Sequence, residues 1–521
     1  ISFNGGTFIH GQAKDFSAQY STADNQQYKI DVLGPANSDF TYGTALISTG
    51  GSLELLGGPL TLSQNNTYTG ETKISGGVLT VNSPLASTVV DVQANATYRL
   101  GTDDTIGELK GAGTVDLNGN QLTINQAAST ESVFSGIISA SQTGSELVKA
   151  GNGNLVLSGN NTYSGATTIS GGTLRVSGVP NSSSPINVAS GAVVEFDTNL
   201  DNRTYSGVIS GDGSLKKISK NQLELSGANT YAGTTSIDAG DLTVTGSLND
   251  KTAVLIASGA TYNTVTDEVG SISGAGSIGL FVNNTAQTLT FGGDDVSTEF
   301  SGDLASPVNG QGGLVKKGTG TTTLSGTSSG FNSNITVDNG TLKFSGQFGA
   351  GSVNRLSVNG FGVYQVSNSH ELAKIDGDGG IVLDNGQALT VTTDNTNNTF
   401  SGVISGSGSL VVDKGNSGGN KLTLSGANTY TGATTITSGR LDVSGSLSDS
   451  TAISVGGSGT YGLSKDDTVG SISGSGSIDL GSSTLSVGSN NQDSTFSGVI
   501  SGAGSLVVDK GNSGGNKLTL S

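Results

Sequence analysis

The feature that most constrains this chain is its resemblance to itself. Residues 400–425 read FSGVISGSGSLVVDKGNSGGNKLTLS, and residues 496–521 read FSGVISGAGSLVVDKGNSGGNKLTLS. The two differ only in Ser407 against Ala503, at a spacing of 96 residues. A match of that length is a tandem duplication, and a fixed period is the signature of a repeat architecture. The chain stops where the first copy continues with Gly426-Ala-Asn428-Thr-Tyr430. The unit is therefore expected to run on beyond Ser521. With no Met in 521 residues, the chain also reads as a processed or cut piece.

Each long unit has three parts. The first joins a Leu-x-Leu run to Asn-Thr-Tyr-x-Gly, then Thr-x-Ile and Gly-x-Leu-x-Val. It recurs around Tyr68, Tyr163, Tyr231 and Tyr430, and a degenerate copy has Phe331 at the aromatic position and Ser333 in place of Gly. The second part spaces apolar residues and glycines alike, as in Ile106, Leu109, Gly111, Gly113, Val115 and Leu117, and again from Val269 to Leu280, Leu372 to Leu383 and Val469 to Leu480. The third is aromatic-Ser-Gly-x-Ile/Leu, at Phe134, Tyr205, Phe300, Phe400 and Phe496. Tyr68 to Tyr163 is 95 residues, Tyr231 to Phe331 is 100 and Phe331 to Tyr430 is 99. Tyr163 to Tyr231 is only 68, and that unit lacks the second part. The deficit of 28 from 96 is close to one coil of a solenoid with some loop. A unit then holds about four coils of roughly 20–25 residues.

Period-two runs such as Leu422-Thr-Leu424 and Leu441-Asp-Val443, broken by Gly, Ser and Asn, read as short half-buried strands. This argues against a disordered Gly/Ser linker, although Gly makes up 84 of the residues. Gly and Asn supply the corners between flat faces. A propeller would need a period near 40–45, and tandem sandwiches would need longer strands. The expected fold is all-β: a single-stranded right-handed parallel β-helix, an elongated rod on the order of 100–120 Å if some 20–25 coils stack about 4.8 Å apart. The repeat aromatics Tyr68, Tyr163, Tyr231, Phe331 and Tyr430 are expected to stack inside or cap a corner. Residues 1–59 carry seven aromatics (Phe3, Phe8, Phe16, Tyr20, Tyr28, Phe40 and Tyr42) before the repeats begin. They read as atypical N-terminal coils or a cap, with a ligand or partner surface as the sharper alternative.

The stretch Leu422–Val443, Leu-x-Leu-Ser-Gly-Ala-Asn-Thr-Tyr-x-Gly-x-Thr-x-Ile-x-x-Gly-x-Leu-x-Val, resembles the passenger-associated repeat of bacterial autotransporters (type V secretion). Leu60–Val81, Leu155–Val176 and Leu223–Val244 match nearly as well. The resemblance touches residues 60–521. It implies a β-helical passenger carried through the outer membrane by a C-terminal β-barrel translocator that lies outside this sequence. The absence of Cys is consistent with a chain that crosses unfolded.

The chemistry is sparse. Without Cys there is no disulfide, thiol enzyme or cysteine zinc site. A net charge of −18 with no basic patch argues against nucleic acid. No apolar run is long enough for a transmembrane helix. The only histidines, His10 and His370, lack a nucleophile pattern nearby and read as surface or loop residues. Gly274-Ala-Gly276-Ser-Ile-Gly279 matches a dinucleotide fingerprint only formally. The carboxylate clusters are Asp103-Asp104, Asp294-Asp295, Asp376-Gly-Asp378 and Asp466-Asp467; the first and last recur at equivalent places and read as solvated corners or turn caps. Asp376-Gly-Asp378-Gly-Gly380 resembles a calcium turn loosely and once. Lys216-Lys217 and Lys316-Lys317 read as a solvated face. No catalytic, cofactor or metal residue is assigned. The expected role is an exported adhesin or self-associating surface protein, active in aggregation or biofilm through many weak contacts to a host-surface or matrix glycan or protein, or to a neighbouring passenger. A passive stalk presenting a domain elsewhere is the alternative, and a polysaccharide-acting enzyme the third.

Overall fold

Short alternating runs separated by glycine can bury their apolar side chains only by stacking coil upon coil, and the computed structural model does so. It describes residues 1–3, 6–11, 14–33, 40–86, 89–178, 183–282, 285–306, 312–349, 353–392, 396–415, 420–509 and 517–521. Among them there is no α-helix, and the one helical piece is a 3₁₀ turn at Ser17–Gln19. Strand pairing is parallel throughout, apart from Phe281–Val282 against Thr285–Ala286, so the chain is a parallel β-solenoid. It divides into two units, Ile1–Asn249 and Asp250–Ser521.

In the first unit one inward column runs Ile30, Leu55, Ile74, Val92, Gly111, Phe134, Leu157, Val176, Phe196, Lys217 and Ile237, each in register with the next. The second unit has its own: Val269, Phe291, Lys316, Val337, Val358, Gly377, Phe400, Leu424, Val443 and Leu463. Period two sends alternate side chains inward, and parallel register keeps each column continuous. The steps run from 18 to 25 residues, so the tightest coils are shorter than the spacing predicts.

The columns explain the glycines of the second and third parts. Each Phe of the third part lies in register with a glycine of the second, Phe300 with Gly274 and Phe496 with Gly474. Gly274 has φ +105°, and a Cβ there would come within 2.1 Å of the Ile256 carbonyl. In the Phe-Ser-Gly turn the ring folds back over its own glycine, so a Cβ on Gly302 would lie 2.8 Å from the Phe300 ring and 1.7 Å from the Gly276 oxygen. Only glycine lets coil and ring approach so closely. The formal dinucleotide fingerprint at Gly274–Gly279 is this corner, running through strands Ser271–Gly274 and Ser277–Gly279 with no helix after it.

Outward positions carry charges that pair across neighbouring coils. Glu54 lies between Lys29 (3.0 Å) and Lys73 (3.9 Å), and Asp442 lies 2.9 Å from Lys421 on the preceding coil, with Arg440 of its own strand at 2.5 Å. Such half-exposed pairs set register more than they add stability.

Candidate functional site

The Asn-Thr-Tyr turn is where each unit is clamped. Tyr68, Tyr163, Tyr231 and Tyr430 are buried, and their hydroxyls meet Thr72, Thr167, Thr235 and Thr434 at 2.5–2.7 Å. The motif asparagines reach back one coil. Their side-chain oxygens accept the backbone N–H of Leu46 (onto Asn66), Ile138 (onto Asn161), Ile209 (onto Asn229) and Ile404 (onto Asn428) at 2.9–3.0 Å. Burial pushes the tyrosine hydroxyls up, Tyr163 to about 12. In the degenerate unit Phe331 is also buried, and Ile335 stands where Thr434 stands. Hydroxyl and partner are lost together, which leaves no orphan.

Two carboxylate pairs depart from the expected solvated corner. Asp103 and Asp466 do face outward and accept the N–H of Gln121 (2.8 Å) and Thr484 (2.7 Å). Asp104 and Asp467 are buried instead. Asp104 accepts from Leu85 N–H (2.8 Å) and, at short range, from the Tyr98 hydroxyl. Asp467 accepts from Leu447 N–H (3.2 Å) and the Tyr461 hydroxyl (3.0 Å). The reason is the inward column: the second residue of each pair points into the coil, and the buried tyrosine six residues earlier supplies a donor. Burial raises both carboxyls, Asp467 to about 6. Asp294 and Asp295 cap turns, Asp295 accepting Thr319 N–H at 2.6 Å. Asp376 pairs with Arg355 at 2.7 Å.

The histidines are corrected in the same way. His370 is buried, not on a surface loop. It occupies the place of Asp467, with Nε2 2.8 Å from the Tyr364 hydroxyl and Nδ1 2.8 Å from the Asn368 carbonyl. A carbonyl only accepts, so Nδ1 carries the hydrogen and Nε2 accepts from the tyrosine. Burial holds this imidazole neutral and lowers it to about 4. His10 is buried too, its Nε2 2.6 Å from Tyr42 Oη and 3.1 Å from Tyr20 Oη. Around it gather Phe3, Phe8, Phe16, Tyr20, Tyr28, Phe40 and Tyr42, with Phe40 and Phe8 rings 4.5 and 4.6 Å from the imidazole. Five of the seven (Phe3, Tyr20, Tyr28, Phe40 and Tyr42) are buried, which removes them from any partner surface.

The paired lysines were expected on a solvated face, and one of each pair is inside. Lys216 and Lys317 are exposed, bonded to Asp238 (2.9 Å) and Glu268 (2.7 Å). Lys217 and Lys316, with Lys149, fill the inward column where the first repeat has Leu55. Lys149 Nζ donates to the carbonyls of Ala150 (2.9 Å), Gly151 (3.0 Å) and, one coil on, Gly171 (3.0 Å). Lys217 repeats this with Ile218, Ser219 and Ala239 at 2.6–3.0 Å. The stem packs like leucine while three carbonyls replace water around the ammonium. Burial lowers Lys149 and Lys217 to about 8. The signal was present in the sequence: a lysine stands 14 to 16 residues before the repeat aromatic at Lys149, Lys217, Lys316 and Lys414.

Asp104, Asp467, His370, Lys149 and Lys217 thus find their partners within the coils, and among the described residues no three or more of His, Asp and Glu converge as a metal site.

Comparison with known proteins agrees with this architecture. The passenger-associated-transport-repeat family matches residues 57–81, 147–176, 217–244, 314–344 and 417–443. These stretches contain the clamped aromatics, and those from the second to the fourth also contain the caged lysines. The adhesin BmaC autotransporter of Brucella suis biovar 1 (strain 1330) is 29% identical over 378 residues, covering 63% of this chain. The chain spans 11% of that relative's length. No solved structure matches the chain. Five transport repeats set along a parallel β-solenoid are what this chain shares with autotransporter passengers, a class secreted to the cell surface.

Proposed function

We propose that this segment is a non-catalytic adhesive display surface, which holds outward-facing polar side chains against a host-surface or matrix glycan or protein, or against a neighbouring passenger. The observation that carries this reading is the division of labour in the coils. Inward columns and clamps absorb the buried histidines, carboxylates and lysines, while the outward rows carry Thr, Ser, Asn and paired charges. A surface of that kind recognises by many weak contacts rather than by chemistry at one point. The relative at 29% identity is itself an adhesin. The aromatic cluster around His10 serves in this reading as a cap on the first coils. A β-barrel translocator, supplied by the rest of the protein, exports and anchors the segment.

The second reading, a passive stalk, draws support from the small fraction of the relative that the chain spans. Display of the intact protein on bacteria separates the two. Replacing the coils of residues 60–521 with consensus coils of equal number should abolish adhesion and cell–cell aggregation if the segment is adhesive. Unchanged adhesion at equal surface density would make it a stalk.

A further inference from the structure

One aromatic side chain stands farther into solvent than any other described. Phe361 is 89% exposed, more than any other large apolar residue described. Its place in the coil is defined by the six-residue step from an inward valine or isoleucine to an inward tyrosine: Val358 to Tyr364, as Val92 to Tyr98, Ile256 to Tyr262 and Val455 to Tyr461. In those other coils the corresponding tip residue is Asn95, Gly259 or Ser458. Here it is a phenylalanine between two glycines. Gly360 takes the left-handed conformation (φ +52°), and a Cβ on Gly362 would come within 2.2 Å of the Val337 carbonyl. The same glycine flanks enclose Ser458, so they serve the corner itself, and nothing in the coil requires a ring there.

The ring has fixed polar flanks. On the preceding coil Asp338 accepts from Asn359 Nδ2 at 2.9 Å, and on the following coil Asp378 accepts the Gly360 N–H at 2.7 Å. Each carboxylate is anchored through its Oδ1 oxygen. The nearby cations are already engaged: Lys317 bonds Glu268 at 2.7 Å and acts on Asp338 only through space, and Arg355 holds Asp376 at 2.7 and 2.9 Å. A lone ring with anchored acceptors on both sides matches a polyol that has one C–H-rich face for the ring and hydroxyls that donate to the carboxylates. A cationic ligand would instead favour several rings around an unpaired negative patch.

We propose that the Phe361 tip, flanked by Asp338 and Asp378, is a pyranose-binding site, with the sugar's apolar face on the ring and its hydroxyls donating to the two carboxylates. The inference deepens the adhesive reading and rests on it. A single monosaccharide on so small a site binds with Kd on the order of 1 mM, useful only through repetition on a glycan or a crowded surface.

The test is saturation-transfer NMR on the purified 521-residue chain with methyl β-galactoside, methyl α-mannoside, methyl β-glucoside and methyl N-acetyl-β-glucosaminide, and with tetramethylammonium as the cationic probe. At least one glycoside is expected to receive saturation at its ring protons. The signal should fall at least tenfold in Phe361→Ser, a change that places at this tip the residue Ser458 provides in the next unit, and severalfold in Asp378→Asn. Transfer to no glycoside, transfer only to tetramethylammonium, or equal transfer in Phe361→Ser overturns the proposal. Cells that adhere while the chain binds no glycoside overturn this site alone. Glycoside binding without adhesion by displayed cells overturns the adhesive reading instead.

Discussion

Asp467 and His370 occupy the same position in their coils, each six residues after a buried tyrosine that donates to it. Their proton chemistry is opposite. Burial lifts the Asp467 carboxyl from 3.8 to about 6. Between those values the folded chain holds a proton that the unfolded chain does not, so this group's contribution to stability grows as pH falls from 6 towards 4. Burial drops the His370 imidazole from 6.5 to about 4. There the unfolded chain binds the extra proton, so stability present at pH 7 is lost as pH falls through 6.5 towards 4. The coil supplies the slot and the tyrosine donor, and the residue in the slot sets the sign.

The comparison can be broken most severely by emptying the slot. Asp467→Ala leaves the Tyr461 hydroxyl and the Leu447 N–H without their acceptor inside the coil. A loss of about 2–4 kcal/mol is expected at pH 7, read as faster hydrogen exchange at amides of the strands Asp467–Val469 and Thr484–Val487. Exchange is preferred to a global melt because solenoid coils open locally.

Exchanging the occupant sharpens it. In the wild-type chain, amides of His370–Leu372 should lose protection between pH 6.5 and 4.5 while those of Asp467–Val469 hold or gain, the histidine's share being about 2–3 kcal/mol over the window. His370→Asp should reverse the direction at the first strand. An unchanged slope in that variant would show that another group governs the pH response.

A smaller effect tests whether the hydroxyl pairs of the clamp behave like the slots. Tyr430→Phe alone orphans the Thr434 hydroxyl and should cost about 1 kcal/mol. Adding Thr434→Ile recreates the Phe331 and Ile335 arrangement and should recover much of that loss in urea unfolding. The smallest effect is predicted for Asp466→Asn, one residue from the buried Asp467 but outward-facing, at no more than about 0.5 kcal/mol. A large loss there would mean that the outward turn bond, and not the buried slot, secures this corner.

These effects mark the limit of what a linear reading reaches. The coil period, the parallel solenoid, the burial of the repeat tyrosines and the structural meaning of the glycines were all legible, because each is a spacing and spacings survive in one dimension. Asp104 and Asp467, read as solvated corners or turn caps, both histidines, read as surface or loop residues, and Lys217 and Lys316, read as a solvated face, are all buried. Residue type favours water for all of them, and the sequence does not display the donors or acceptors that replace it. Lys217 follows Lys216 directly, yet one meets Asp238 outside and the other three carbonyls inside, because adjacent residues in a strand face opposite ways.

By itself, then, the sequence determined the architecture and its likeness to autotransporter passengers, since a repeated pattern of apolar alternation and glycine corners admits few folds and the repeated motif is the one those passengers share. Only the tertiary structure decided which polar residues are buried and in which protonation state, and that Phe361 is the most exposed of the large apolar side chains described. Burial is a property of register between coils some 20 residues apart, and register is settled only when the coils stack.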